Sequence, residues 1–221
     1  MRRGAARSSL SDEAYYVIRD MVVTGEIAPG ERLTVRPLAN TLGLSPTPII
    51  AALTRLAHEG VLESRPHRGF FVPEMSIADM REIYEVRRGL DLAAVRRCCE
   101  STHRNEIASL LLDQCDEQLA RLEKRDIEGY RAVDVAFHDM VWQLCGNQRL
   151  QRLGSSLLDQ MRMGNAISIT HPGRGHESVR EHREIAHAIA AGDVERAEAA
   201  VTDHLCRTAQ SYAESYSAKK C

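Results

Sequence analysis

Asp134, His138, His182 and His204 are the residues of this chain whose types and spacing point most directly to chemistry. Asp134 and His138 lie four apart in a stretch of helical periodicity, so both leave the same helix face one turn apart. His182 and His204 fall in two later helical segments. Three imidazoles and one carboxylate form a nitrogen-rich donor set that suits zinc, nickel or another first-row divalent ion. Four such ligands leave one or two positions on an octahedral ion for water or for an oxygen of a bound molecule. An isolated Asp-x-x-x-His also reads as a buried, hydrogen-bonded pair. In a helical core these groups are costly unless coordinated or hydrogen-bonded. His187 follows His182 by five residues and falls off its face. His171 and His176 flank Pro172-Gly173 and read as solvent-exposed, and His58, His67 and His103 lie outside the constellation.

The elements that must position these residues come late in the chain. Ser-x-x-Asp at 76–79 resembles a capping box. From there on, every segment reads as helix, with spans expected at 77–100, 103–124, 126–145, 148–170, 176–191 and 194–217. Asn147, Pro172-Gly173 and Gly192-Asp193 punctuate them, and the residues around Lys219 and Lys220 read as a frayed tail. Amphipathic helices with short connections imply an all-α bundle.

The first third is built differently. A helix is expected over about 10–26, with Ser11 as N-cap and Ala28-Pro29-Gly30 as the turn that ends it. A short helix over 35–42 closes at Gly43. Ser45-Pro46 then reads as an N-cap followed by proline at the first helical position, opening a helix over 46–59 that stops at Gly60. Val61-Leu62-Glu63-Ser64 and Phe70-Phe71-Val72, joined by Arg65-Pro66-His67-Arg68-Gly69, read as a β-hairpin. Helix, helix, turn, helix, hairpin is the order of a winged helix-turn-helix. The fold class is therefore mainly α: a winged helix-turn-helix over 1–75, with a small β wing, and an all-helical bundle over 76–221, with Pro73-Glu74-Met75 as the hinge.

Composition narrows the function less. The 221 residues carry a formal net charge of −2 and are 43% hydrophobic, ordinary for a soluble globular chain. Residues 1–75 hold nine Arg against eight Asp or Glu, so any claim of nucleic-acid binding must rest on motif and placement rather than bulk charge. No apolar run of about 18 residues exists, and Met1-Arg-Arg-Gly-Ala-Ala-Arg lacks the apolar core of a secretory signal. No membrane span is expected, and the localisation expected is cytoplasmic. Six cysteines (98, 99, 115, 145, 206 and 221) show no Cys-x-x-Cys spacing and read as reduced thiols. Cys98-Cys99 reads as a helical pair with one buried member rather than as a redox switch.

The ordered set of motifs resembles the GntR superfamily of bacterial transcription regulators, in particular the FadR subfamily with an FCD-type effector domain. In the first domain the resemblance rests on Pro29-Gly30-Glu31-Arg32-Leu33, Leu38-Ala39, Leu42-Gly43-Leu44-Ser45, Thr47-Pro48, Ala52-Leu53-Thr54-Arg55-Leu56, Glu59-Gly60 and Arg68-Gly69-Phe70-Phe71-Val72. In the second it rests on Asp79-Met80, Tyr84-Glu85-Val86-Arg87, Asp134-x-x-Phe137-His138, Gly146-Asn147, Glu181-His182, Gly192-Asp193, Ala197 and Asp203-His204-Leu205. The resemblance implies a homodimeric regulator, more specifically a repressor. Such a regulator binds double-stranded operator DNA and responds to a small carboxylate effector bound beside the metal. Effector contacts are then expected from Arg87, which matches an arginine of the first FCD helix, with Arg162 and Asn147 as further candidates.

The DNA-reading side departs from the family pattern. The family has arginine directly after the serine and again four positions on, where this chain has Pro46 and Ile50. Ala51 stands where an acidic residue is common. A lost bidentate arginine–guanine contact is worth roughly 1–3 kcal/mol of discrimination, so the operator is expected to differ from the commonest family site. The remaining candidates for DNA contact are Arg36, Ser45, Thr47, Arg55, His67 and Arg68. Thr47 and the N–H groups near the helix start suit phosphate. An arm of Arg2, Arg3 and Arg7 adds nonspecific attraction or nothing. Two rival readings remain at this point. One is a bundle metalloenzyme using metal-bound water, which leaves the first domain unexplained and has no evident general base. The other is a constitutive DNA-binding protein with a structural metal. The regulator is preferred, and the protein is not expected to be an enzyme.

Overall fold

The computed structural model describes residues 9–155 and 157–220. It falls into two compact units, Met1–Met75 and Ser76–Cys221, divided just after Pro73-Glu74-Met75.

In the first unit, α1 (Leu10–Val23), β1 (Arg32–Leu33), α2 (Val35–Leu42), α3 (Pro46–His58), β2 (Glu63–Arg65) and β3 (Gly69–Phe71) follow in that order. The cap of α1 is Ser9 rather than the expected Ser11, because Ser9 and Asp12 form a reciprocal capping box that Ser11 has no partner to make. α2 ends at Gly43 in the left-handed region (φ 65°), and α3 opens with Ser45 as N-cap and Pro46 in its first turn. β2 and β3 form the expected hairpin. The sequence reading missed β1, which adds to the far edge of β3 to give the antiparallel order β1-β3-β2, pairing Leu33 with Phe70. Two residues are too few for an alternation signal. Ile18, Ile49, Leu53 and Leu56 are the fully buried centre of this unit, where α1 crosses α3.

The second unit is all-helical: α4 (Ile77–Glu100), α5 (Arg104–Glu123), α6 (Ile127–Leu144), α7 (Gln148–Ser155), α8 (Leu158–Ser168), α9 (Arg174–Ala191) and α10 (Val194–Lys220). Ser76 caps α4 in a reciprocal box with Asp79. α5 packs between α6 and α9, and α10 lies along α4, α8 and α9. No helix among the described residues is long and apolar enough to cross a membrane.

Four boundaries differ from expectation, the first being α1, which ends at Val23 instead of about 26. The single helix expected over 148–170 is two. α9 starts at Arg174 instead of 176, which puts His176 inside the helix. α10 runs on through Lys220 instead of fraying after 217. The cysteines are free thiols among the described residues, and both Cys98 and Cys99 are buried, not one of the two. Burial pushes Cys98 up to about 12 and Cys99 up to about 11, which removes the thiolate a redox switch requires.

α7 sits against α6 through one glycine. A Cβ at Gly154 would overlap the indole of Trp142, a side chain with no exposed surface. Gly89, also helical, has open space around it. Gly154→Ala is therefore expected to destabilise the protein by about 1–3 kcal/mol through overpacking. Gly89→Ala is expected to stabilise it by about 0.5–1 kcal/mol through helix propensity. Urea denaturation of the two variants would show midpoints moving in opposite directions.

Candidate functional site

Four helices bring polar side chains into one buried region, each by repeating them every fourth residue. α4 supplies Arg87 and Asp91. α6 supplies Tyr130, Asp134, His138 and Trp142. α9 supplies Arg174, Ser178 and His182, and α10 supplies His204 and Thr208. A spacing of four keeps each set on one face. All are buried.

The three histidines come together. Their potential ligand atoms lie within 4.8 Å of one another, and Nε2 of His138 is 3.1 Å from Nε2 of His182. Nitrogens held about 2.0–2.1 Å from a shared ion sit roughly 3.0–3.4 Å apart, so this spacing fits a common metal. The outer nitrogens are fixed. His182 Nδ1 donates to Gln118 Oε1 at 3.0 Å, and His204 Nδ1 donates to Glu181 Oε2 at 2.8 Å. With the proton on Nδ1, both rings keep an Nε2 lone pair for a ligand, the arrangement metal-binding imidazoles normally have. Glu181 is itself clamped by both terminal nitrogens of Arg174, at 3.0 and 2.7 Å. Burial, reinforced by neighbouring positive charge from Arg87, holds all three imidazoles well below their ordinary range and hence neutral, the ligating form. The residues present therefore fit a divalent ion.

Asp134 is placed differently. It lies one turn before His138, but the convergent group among the described residues consists of the three histidines. Its Oδ1 accepts hydrogen bonds from Tyr130 Oη and Ser178 Oγ, both at 3.1 Å. Burial raises its pKa, opposed by the positive charge of Arg87. Asp134 lines a small adjoining cavity of about 20 Å³, room for little more than a water molecule. Arg87, Arg131, Arg174, Tyr130, Ser168, Ser178, Thr208 and His204 also line it, so three guanidinium groups and four hydroxyls face one space.

Arg87 is the expected effector residue that the structure brings to this cavity. Its Nε donates to Asp91 Oδ2 at 3.1 Å, while its buried Nη2 has no hydrogen-bond partner. Asp91 also accepts from Trp142 Nε1 at 2.6 Å. Arg162 and Asn147 are not brought there. The Arg162 carbonyl accepts from Arg131, and its guanidinium faces Asp159 at 3.9 Å. Asn147 Oδ1 accepts from the N–H groups of Arg149 and Leu150 and so caps α7. Sequence reasoning missed Asp91, Gln118, Tyr130, Arg131, Arg174, Ser178, Glu181 and Thr208. The signal was available in the four-residue spacing from Arg87 to Asp91, from His204 to Thr208 and from Arg174 through Ser178 to His182. Starting α9 at 176 removed Arg174 from that ladder.

In the first unit, Arg36, Ser45, Thr47, His67 and Arg68 are exposed. Ser45 makes no side-chain cap bond. The N–H groups that a helix start leaves without intrahelical acceptors belong here to residues 45–48. Pro46 and Pro48 have none, so the anion-binding capacity expected at this terminus is halved to Ser45 and Thr47. His67 sits at the wing tip with φ 59°, and the Arg68 N–H closes the turn onto the Arg65 carbonyl. Arg55 is engaged within the unit: Nε donates to Glu59 at 3.0 Å, Nη1 reaches Asp12 at 3.4 Å, and its guanidinium stacks 3.7 Å over the Tyr15 ring.

Comparison with known proteins joins the two units to one function. Residues 10–72 match the family model for bacterial regulatory proteins of the gntR family, and residues 82–207 match the FCD domain. The chain belongs to the GntR family of bacterial transcription regulators, with an FCD domain. It is 34% identical over 128 residues to an HTH-type transcriptional regulator from the TAR-I ttuE-ttuC' intergenic region of Agrobacterium vitis; that match spans 57% of this chain and 75% of the relative. It is 24% identical over 202 residues to the HTH-type transcriptional repressor RspR of Escherichia coli K12, spanning 91% of this chain and 88% of RspR. The solved structure of E. coli McbR/YncC shares the fold, with a TM-score of 0.80 at 23% identity over 95% of this chain and all (100%) of that one. These are families of regulators, not enzymes.

Glu181 carries a stability consequence for this GntR-family member. It neutralises the buried Arg174 and accepts a hydrogen bond from His204 Nδ1. Removing it leaves the buried guanidinium with only the half-exposed Glu177 carboxylate at 3.9 Å, so Glu181→Ala is expected to cost about 3–5 kcal/mol. The check is its urea midpoint against that of Arg183→Ala, whose pair with Asp116 is exposed and worth about 0–1 kcal/mol.

Proposed function

We propose that this regulator is an effector-responsive repressor that binds operator DNA as a homodimer. In this reading a divalent metal ion, zinc or nickel by donor type, is held by His138, His182 and His204, and Asp134 becomes the fourth ligand only by turning its carboxylate from Tyr130 and Ser178 toward the imidazoles. The observation that carries the metal is the convergence of three neutral, buried imidazoles, two of them with Nδ1 protons fixed outward. Bound there, the ion would supply an open coordination position for an oxygen of a small organic acid.

Arg87 is assigned to the acid's carboxylate, because its Nη2 is a buried donor without a partner at the wall of the cavity. Its Nε stays on Asp91, so the guanidinium is oriented before the ligand arrives. The hydroxyls of Tyr130, Ser178 and Thr208 are placed to accept or donate to a substituted acid. The cavity is small, so the bundle must open slightly to admit more than water. That opening is the physical link by which the effector biases the protein between states of high and low operator affinity. Two copies presenting two winged helices match a two-fold operator. Repression is supported by the likeness to RspR, and exposure supports Arg36, Ser45, Thr47, His67 and Arg68 as the DNA-contacting set. Arg55 is assigned to holding α3 on α1.

Metal analysis of the purified protein is expected to give about one ion per chain, lost in His138→Ala and His182→Ala. Finding none after exposure to zinc and nickel salts would leave the three histidines as a hydrogen-bonded core cluster and remove the metal from the reading. The effector arm is tested by operator competition with a panel of small organic acids. The expected result is that one or more acids shift DNA affinity in the native protein. Arg87→Lys is expected to weaken that response at least tenfold, about 1.4 kcal/mol or more, because lysine cannot make the bidentate contact.

A further inference from the structure

α3 has two faces. Pro48, Ile49, Ala52, Leu53 and Leu56 are buried, while Thr47, Ile50, Ala51, Thr54, Arg55 and His58 are exposed. The exposed residues recur at spacings of three and four and form one continuous strip. Over its first two turns this strip carries no charge. The hydroxyl of Thr54 is engaged by the Ile50 carbonyl at 2.8 Å. Ile50 leaves 47% of its surface in water, although a β-branched side chain in mid-helix gains neither from helix propensity nor, here, from the core. The cation of this strip, Arg55, lies beyond those two turns and, though 47% exposed, is paired with Asp12 and Glu59 and stacked on Tyr15.

In a helix-turn-helix the second helix of the motif lies in the major groove, with its N-terminal residues at the base edges. The apolar group that standard bases offer there is the thymine C5 methyl. We propose that Ile50, flanked by Thr47 and Ala51, reads thymine through that methyl, so that this regulator selects T·A pairs at the positions α3 contacts. Arg36, His67 and Arg68 supply phosphate contacts around the strip without fixing the sequence. The inference rests on the reading of the N-terminal unit as operator-binding, and the experiment separates the two.

The full-length protein is used to select from a random-sequence duplex library, and each thymine of the enriched site is then replaced by deoxyuridine, which removes the methyl alone. At the thymine facing Ile50, each lost methyl is expected to weaken binding about fourfold. Ile50→Ala is expected to bind the thymine and deoxyuridine duplexes alike, with an unchanged melting midpoint because the side chain is outside the core. An enriched site at which no deoxyuridine changes affinity, or an Ile50→Ala variant that keeps the full sensitivity, overturns methyl reading and leaves operator binding standing. Failure to enrich any duplex overturns operator binding and the inference with it.

Discussion

The second unit depends on one constraint: ionic and polar groups taken into the centre of a helical bundle must satisfy one another there. A lone ion moved out of water costs several kcal/mol even after relaxation. The bundle meets this with short chains of partners. Trp142 and Arg87 both donate to Asp91. Arg174 clamps Glu181 and also donates to Thr208, while Glu181 accepts a hydrogen bond from His204 Nδ1. Gln118 Oε1 on α5 accepts a hydrogen bond from His182 Nδ1. Each chain ties two or three helices together, so the polar centre fixes the mutual positions of α4, α5, α6, α9 and α10 more specifically than apolar contact alone. Among the described residues five buried side-chain atoms break this pattern, and two of them, Nη2 of Arg87 and Nε of Arg131, belong to residues that line the cavity. A functional requirement, rather than stability, accounts for such an exception most simply.

The two units are built on opposite physical plans. In the first, the polar and charged side chains are outside, and the functional surface is defined by what the core leaves over. Ile49, Leu53 and Leu56 point inward, so Thr47, Ile50, Ala51 and Thr54 must point outward. In the second, the functional surface is inside and is defined by what the core encloses. Arg55, although 47% exposed, is shared between Asp12, Glu59 and the Tyr15 ring, and so helps hold α3 on α1.

Most of the architecture was legible because it was written in local signals. Gly43, Ser45-Pro46 and Gly60 marked the ends of α2 and α3, and Ser76 with Asp79 marked the start of α4. The histidine cluster was legible from residue type and element placement, though Asp134, equally conspicuous, turned out to face the cavity hydroxyls. The partners of the cluster were not legible. Gln118, Glu181 and Arg174 look like ordinary surface residues of amphipathic helices until packing shows which faces are enclosed. The break between α7 and α8 was missed although Gly154-Ser155 lies at the end of α7, because one glycine inside a helical pattern is only a weak breaker signal. β1 was missed because strand pairing is a long-range event that two residues cannot announce.

The contact between His138 and His182 joins these themes. Two neutral imidazoles with Nε2 atoms 3.1 Å apart cannot both point lone pairs at each other without something positive between them. His182 has its proton on Nδ1, held by Gln118, so the positive partner must be a proton on His138 Nε2 or an ion shared by both rings. The other nitrogen of His138 lies 3.9 Å from Asp91 Oδ2, the same oxygen to which Arg87 donates. One carboxylate, Asp91, therefore stands between the imidazole cluster and the guanidinium that borders the cavity, hydrogen-bonded to Arg87 and 3.9 Å from a neutral His138.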